Sequence, residues 1–142
     1  MHTIQQILDR KGHDIHWIDP GSSVFDAVRR MAELGIGALL VTDDGMPIGM
    51  MSERDYARKV ILEGRSSRET KVADIMSAPL ITIDPGAAAD AGLALMTRKR
   101  IRHLPVMDGK DLKGVVSIGD LVNAVIDDQH HLIEQLERYV TG

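Results

Sequence analysis

An internal repeat constrains this chain more than any other feature. Asp19-Pro20-Gly21 returns 65 positions later as Asp84-Pro85-Gly86, and Gly49-Met50-Met51-Ser52-Glu53-Arg54-Asp55 returns as Gly114-Val115-Val116-Ser117-Ile118-Gly119-Asp120. Between these anchors Met31, Ile36, Leu39, Val41 and Asp43 are matched by Met96, Ile101, Leu104, Val106 and Asp108 at the same offset. Such a period marks a duplicated supersecondary unit that buries its apolar face against its copy. With 142 residues there is room for two such units around one core, and not for two independent large domains.

Each unit opens with a short extended piece, Ile15 to Ile18 or Leu80 to Ile83, closed by the Asp-Pro-Gly turn. Ser22 or Ser23 then caps a helix whose apolar positions are Val24, Ala27, Val28, Met31 and Ala32, and Gly35 ends it. The counterpart carries Ala89, Leu93 and Met96. Two short apolar runs, Ala38 to Val41 and His103 to Val106, lead into the hairpin signals Asp43-Asp44-Gly45 and Asp108-Gly109-Lys110. The returning strands are Ile48 to Met51 and Lys113 to Val116, and the serine after each starts a second helix. The reading is therefore mixed α/β (α+β), strand-helix-strand-strand-helix twice over.

The polar stretch from Leu62 to Lys71 reads as the connector. Val72 to Met76 is expected to open the second unit as a short helix, as Ile4 to Leu8 opens the first. These signals divide the chain into 1–65, a first unit with an N-terminal extension, 66–128, a second unit, and 129–142, a C-terminal helical extension. The last helix carries an apolar stripe through Leu121, Val122, Val125, Ile126, Leu132, Ile133, Leu136 and Val140, too long for its own core. Either this tail folds back over its own subunit or the stripe packs against a second copy in a symmetric homodimer, the favoured reading.

A formal charge of −4 argues against general attraction to nucleic acid or anionic lipid. The absence of cysteine excludes disulfides, thiolate nucleophiles and cysteine-ligated zinc. The first residues lack the basic start and apolar run of a signal peptide, and no stretch approaches the ~20 apolar residues that span a bilayer. A cytoplasmic protein without membrane contact is expected.

A tandem of such units, each ending in Gly-apolar-apolar-Ser-x-x-Asp, resembles the CBS domain pair, or Bateman module. The resemblance extends from about Asp14 to Asp127. It is carried by Met76, Asp84-Pro85, Arg102-His103-Leu104-Pro105-Val106 and the two Ser-x-x-Asp segments. Ser52-Glu53-Arg54-Asp55 is similar to the version in small stand-alone bacterial and archaeal CBS proteins. The resemblance implies two units related by a pseudo-twofold axis, leaving two clefts for adenosine ligands such as AMP, ADP, ATP, NAD(H) or S-adenosylmethionine. It implies no catalytic cofactor and no chemistry of its own, but a signal passed to an effector protein that the sequence leaves unknown.

An adenosine nucleotide needs an apolar slot for its base, a carboxylate for its diol and cationic donors for its phosphates. Asp55 and Asp120 suit the diol, since an ionised carboxylate is a pure acceptor with room for two bonds. Ser52 and Ser117, one turn earlier, suit ribose or phosphate oxygens. The competing reading of Ser-x-x-Asp is a capping box, and both roles can coexist. In the family pattern that the chain resembles, Arg102 and His103, with Pro105 in the same segment, reach the phosphate oxygens in the second unit, and Arg54 is the candidate for the same work in the first. Gly37 and Ala38 stand where Arg102 and His103 stand in the repeat, so the two sites are expected to differ. For the base, the resemblance implies Ile15, His16 and Ile18, and Ile81 and Ile83, as backbone groups beside apolar walls, helped by Met50 and Val116, residues that by spacing alone would be core. Lys11 and Gly12 line the same cleft or form a surface loop.

Other classes fit less well. Ser117, His103 and Asp120 invite a catalytic triad, yet no oxyanion signature accompanies them, so no enzyme is expected. Of the six histidines, His130 and His131 point apart on a helix, and His13 and His16 lack a third ligand, so no metal site is expected. The cluster Arg98-Lys99-Arg100-Arg102 could meet nucleic acid, against the acidic total and an aromatic content of 3%. A purely structural dimerisation module is the runner-up.

Overall fold

A computed structural model describes residues Met1–Thr141. In chain order the elements are α1 (Ile4–Lys11), β1 (Trp17–Ile18), α2 (Val24–Leu34), β2 (Ala38–Asp43), β3 (Met46–Ser52), α3 (Glu53–Tyr56), α4 (Ala89–Lys99), β4 (His103–Asp108), β5 (Asp111–Ser117) and α5 (Ile118–Thr141). A π-helical turn, Ala57–Ile61, prolongs α3, and Val72–Asp74 forms a single 3-10 turn. The fold is mixed α and β, as the repeat predicts. Two compact units result: a central one, Ile15–Ile81, and a composite one made of Met1–Asp14 with Thr82 onward.

In the central unit β2 and β3 form the predicted hairpin. Its turn places Asp44 and Gly45 at φ 53 and 79, the left-handed pair that matches the twist of the strands. β1 runs parallel to β2, with Trp17 opposite Leu40. Ser23 caps α2, its Oγ accepting from Asp26 N at 3.1 Å, and Gly35 ends it at φ 66. Val24, Ala27 and Met31 on α2 then meet Leu39, Val41, Met51 and Val60 in the core.

Val72 and Ile75 also enter this core. Val24 N donates to Thr70 O at 2.8 Å and Val72 N to Ser22 O at 2.9 Å, so the end of the connector lies on the central unit. In the composite unit α1 does the same work for the second half, with Ala89 N donating to His2 O at 3.0 Å and Ile4 N to Ala87 O at 2.9 Å. The segments predicted to open the first and second halves therefore each cover the other half, which departs from a division in chain order. The repeat gives both halves the same notch, a glycine on the returning strand. Leu8 lies over Gly114, and Met76 over Gly49.

The second half repeats the register of the hairpin. β4 and β5 carry a register shift at Val106/Met107 that matches the one at Val41/Thr42. The counterpart of β1 differs. Leu40 N donates to His16 O at 3.0 Å, but the equivalent position is Pro105, which has no N–H. The expected extended piece at Leu80 to Ile83 consequently makes only an isolated bridge, Ile83 to Val106.

α5 runs on as one helix to Thr141 instead of folding back. Leu121 and Ala124 are its buried residues, whereas Leu132, Ile133 and Leu136 are each more than half exposed. Among the described residues no helix is long and apolar enough to cross a membrane.

Candidate functional site

Both Ser-x-x-Asp segments begin a helix and form the reciprocal cap that is one of their two readings. Asp55 N donates to Ser52 Oγ at 3.2 Å while Ser52 N donates to Asp55 Oδ2 at 3.0 Å. Asp120 N donates to Ser117 Oγ at 3.2 Å, and Ser117 N returns to Asp120 Oδ2 at 2.8 Å. A cap of this kind spends one carboxylate oxygen and the serine hydroxyl. What happens at the other oxygen separates the two halves.

At Asp55 the second oxygen is also taken. Ser77 Oγ donates to Oδ1 at 3.1 Å, and Lys59 Nζ stands 3.1 Å from the same oxygen. Lys59 also donates to Ile75 O at 2.9 Å, and the Asp55 side chain is only 10% exposed. Neither Ser77 nor Lys59 is among the residues singled out from the sequence. Lys59 lies four positions after Asp55, a helical pairing distance that could have flagged it. Ser77 arrives through tertiary packing, for which the sequence holds no local signal.

At Asp120 the cation comes from α1. Lys11 Nζ donates to Oδ2 at 2.7 Å and to Val115 O at 2.9 Å. The hydrogen bonds from Lys11 Nζ and from Ser117 N thus both fall on Oδ2. The side chain keeps 23% of its surface open. Burial pushes the carboxyl up, but the bonds from Lys11 and Ser117 outweigh it and hold Asp120 below its ordinary 3.8.

Arg102 and His103 lie at the same end of the hairpin. His103 pairs with Ser117 across β4 and β5, and Arg102 O accepts from Ile118 N, the first amide of α5, at 2.8 Å. Burial presses His103 below its ordinary 6.5, Lys11 presses the same way, Asp120 pulls against it and Arg102 adds a smaller downward push. Four charged or titratable groups therefore share one neighbourhood. In the central unit Ala38 pairs with Ser52, and Gly37 O accepts from Glu53 N at 3.0 Å. At this end of the hairpin the backbone pairing is the same in both halves, and the side chains differ.

The remaining candidates divide by burial. Gly12, Ile15, His16, Met50, Arg54 and Ile81 are half-buried, and Lys11 and Arg102 are exposed. Gly12 takes φ 105, which turns the chain away directly after Lys11. Ile18, Ile83 and Pro105 are buried, and Val116, at 0% exposure, belongs wholly to the core. As placed, Val116 offers a ligand no surface, because the pleat sends it inward while its neighbour Val115, the register equivalent of Met50, stays half-buried. Among the described residues no group of three or more His, Asp or Glu is arranged to hold a metal ion.

The sequence pattern of the CBS domain matches residues 6–62 and 72–127. The mitochondrial CBS domain-containing protein CBSX3 of Arabidopsis thaliana is 40% identical over 99% of this chain and 72% of its own length. The CBS domain-containing protein YhcV of Bacillus subtilis is 29% identical over 83% of this chain and 84% of its own. Among solved structures, a CBS-domain protein of Burkholderia ambifaria superposes with a TM-score of 0.86 at 49% identity, covering 90% of this chain and 96% of that one.

Proposed function

Because the chain belongs to the CBS domain family, as a tandem pair, we propose that it is a regulatory sensor of an adenosine nucleotide, of the AMP, ATP or NAD class, whose working site is built on Asp120. Tandem CBS domains are in general ligand-sensing modules and not catalysts. The observation that carries the choice of site is the asymmetry between the carboxylates. Asp55 has both oxygens engaged and is nearly closed to solvent, whereas Asp120 accepts through one oxygen and keeps open surface. A ribose diol needs free lone pairs, and among the contacts made by the described residues it is the second carboxylate that keeps them. Arg102 and His103 add phosphate donors there, and Gly37 and Ala38 add none at the other.

Occupancy becomes a signal when the ligand prefers one of two states, and an effector protein reads the difference. The long exposed stripe of α5 supports a homodimer as the signalling form, with Leu132, Ile133 and Leu136 meeting a second copy. A cytoplasmic setting fits an acidic chain without cysteine.

Calorimetric titration with AMP, ATP and NAD tests the proposal. One nucleotide per chain binds with a dissociation constant on the order of micromolar, about −8 kcal/mol. Asp120→Ala weakens it about 10- to 150-fold, the loss of a charged hydrogen-bond acceptor worth roughly 1.5 to 3 kcal/mol. If Asp120→Ala binds every nucleotide as tightly as the parent, the ribose assignment is wrong. If no nucleotide binds and the chain still dimerises, the protein is a structural dimerisation module.

A further inference from the structure

The two covering segments differ in length, and the difference delivers one charge. Thr3 bridges Ala88 as Lys71 bridges Ser23, and Leu8 sits on Gly114 as Met76 sits on Gly49, so α1 and the Val72–Asp74 turn dock alike. Past that point they diverge. The first cover is an eight-residue helix that continues to Lys11, whereas the second is a three-residue turn. The extra turn of α1 carries Lys11 over the carboxylate, and Gly12 then ends the helix by donating to Leu8 O at 2.8 Å. In the central unit the covering segment supplies only the Ser77 hydroxyl, and the cation is Lys59 from the helix that bears Asp55 itself.

Lys11 is thus the one cation that a covering segment brings to a candidate diol acceptor among the described residues, and it holds one oxygen of that acceptor, Oδ2, before any ligand does. Its side chain is 37% exposed, so the ammonium can leave without being stranded in the core. Leaving breaks an ion pair at 2.7 Å and a hydrogen bond to Val115 O at 2.9 Å. An incoming anion refunds that loss, and a neutral ligand does not. Arg102 and His103, at the same end of the hairpin, mark where an anion would stand.

We propose that Lys11 is an exchangeable counter-ion of this site: it holds Asp120 while the site is empty and passes to a phosphoryl group when a nucleotide enters, so that the site selects anionic nucleotides over neutral nucleosides. The proposal rests on reading Asp120 as the ribose acceptor. It assigns Lys11 two opposite effects. Toward adenosine it is a competitor for the carboxylate, and toward AMP or ATP it is first a competitor and then a partner. A cationic adenosine derivative that carries no anionic group meets only the competition and the repulsion.

Titration of the full chain with adenosine, AMP and ATP, for the parent and for Lys11→Met, Lys11→Gln and Lys11→Arg, separates these effects. Removing a half-exposed ion pair changes affinity by a few-fold, so Lys11→Met and Lys11→Gln bind adenosine about threefold tighter and ATP about threefold weaker, and the ATP-to-adenosine preference falls about tenfold. Lys11→Arg keeps the preference. A thermal melt confirms that each variant is folded, and the glutamine variant serves if the methionine one is not. If the neutral variants shift adenosine and ATP in the same direction by the same factor, or shift neither, counter-ion exchange is wrong. Failure of the underlying reading looks different, because Asp120→Asn would then leave all three ligands unaffected in the parent background.

Discussion

Gly49 and Ser77 pack backbone against backbone: a Cβ at Gly49 would stand 2.8 Å from Ser77 O, and 3.0 Å from Met76 Sδ. That carbonyl is pinned, since Met50 N donates to it at 3.1 Å and Ser77 N donates to Met50 O at 2.8 Å. At the repeated position Gly114, the same Cβ would meet Leu8 Cδ2 at 2.8 Å, the movable end of a side chain. Gly49→Ala therefore destabilises by about 1 to 3 kcal/mol, the usual cost of overpacking a close contact, and Gly114→Ala by less. Urea denaturation of both variants checks the order. Equal losses would mean that the covering segment after Val72 yields as easily as α1.

The two aspartates separate structural from ligand effects. Asp55→Ala leaves Lys59, Ser77 and the Ser52 amide without the acceptor they share, in a site that is almost closed. A loss of about 1 to 3 kcal/mol of stability is expected from the orphaned donors, with nucleotide affinity little changed. Asp120→Ala reverses the pattern, costing less stability and most of the binding. Denaturation midpoints and titrations on the same two samples decide the matter, and a shared profile would show that the two sites are equivalent after all.

What could be read in the sequence is what is decided locally. Ser23, Gly35 and the Asp44-Gly45 turn act within a few residues of themselves, so α2 and both hairpins follow from composition and spacing. Even the lost counterpart of β1 was written in Pro105, which cannot donate where Leu40 does. The assignment of covers was not legible, because a repeat offers two equivalent notches to two apolar segments, and neither Ile4 nor Val72 says which it fills. For the same reason the sequence placed Lys11 near a cleft without saying whose carboxylate it would hold. That contact joins residues 109 positions apart in sequence. The Asp55 partners were half legible, Lys59 by helical spacing and Ser77 not at all.

The tail of α5 gives a prediction about association. Leu132 and Leu136 are each 56% exposed and Ile133 51%, so a charge at these positions does not disturb the folded chain itself. Leu132→Glu with Leu136→Glu converts a dimer into a monomer in sedimentation equilibrium while the far-ultraviolet helix signal and the melting midpoint at low concentration persist. A parent chain that sediments as a monomer at every concentration would remove the second copy as the occupant of this stripe.

Acid should weaken the fold through His103. Its folded value is lowered, by burial first and then by Lys11, with Arg102 adding to the effect and Asp120 opposing it, while the unfolded chain titrates at about 6.5. Between the lowered value and 6.5 the unfolded state binds a proton that the folded state does not, so stability rises with pH across that window. The contribution is complete above 6.5, declines as pH falls through 6.5, and reaches its floor at the folded value. Asp120, also lowered, acts in the same sense further down, where its contribution is present above 3.8 and fades as pH drops below it. Denaturation midpoints of the parent and His103→Gln, followed from pH 7.5 to about 4.5, isolate the histidine as the difference between two slopes. Bound phosphate reverses the preference, because an anion beside the ring favours the imidazolium. Nucleotide binding then takes up a proton, and affinity for ATP increases as pH falls from 7.5 toward about 6 in the parent and not in His103→Gln. Equal pH slopes for the two proteins, with and without ligand, would place the His103 ring outside both the acid response and the phosphate contact.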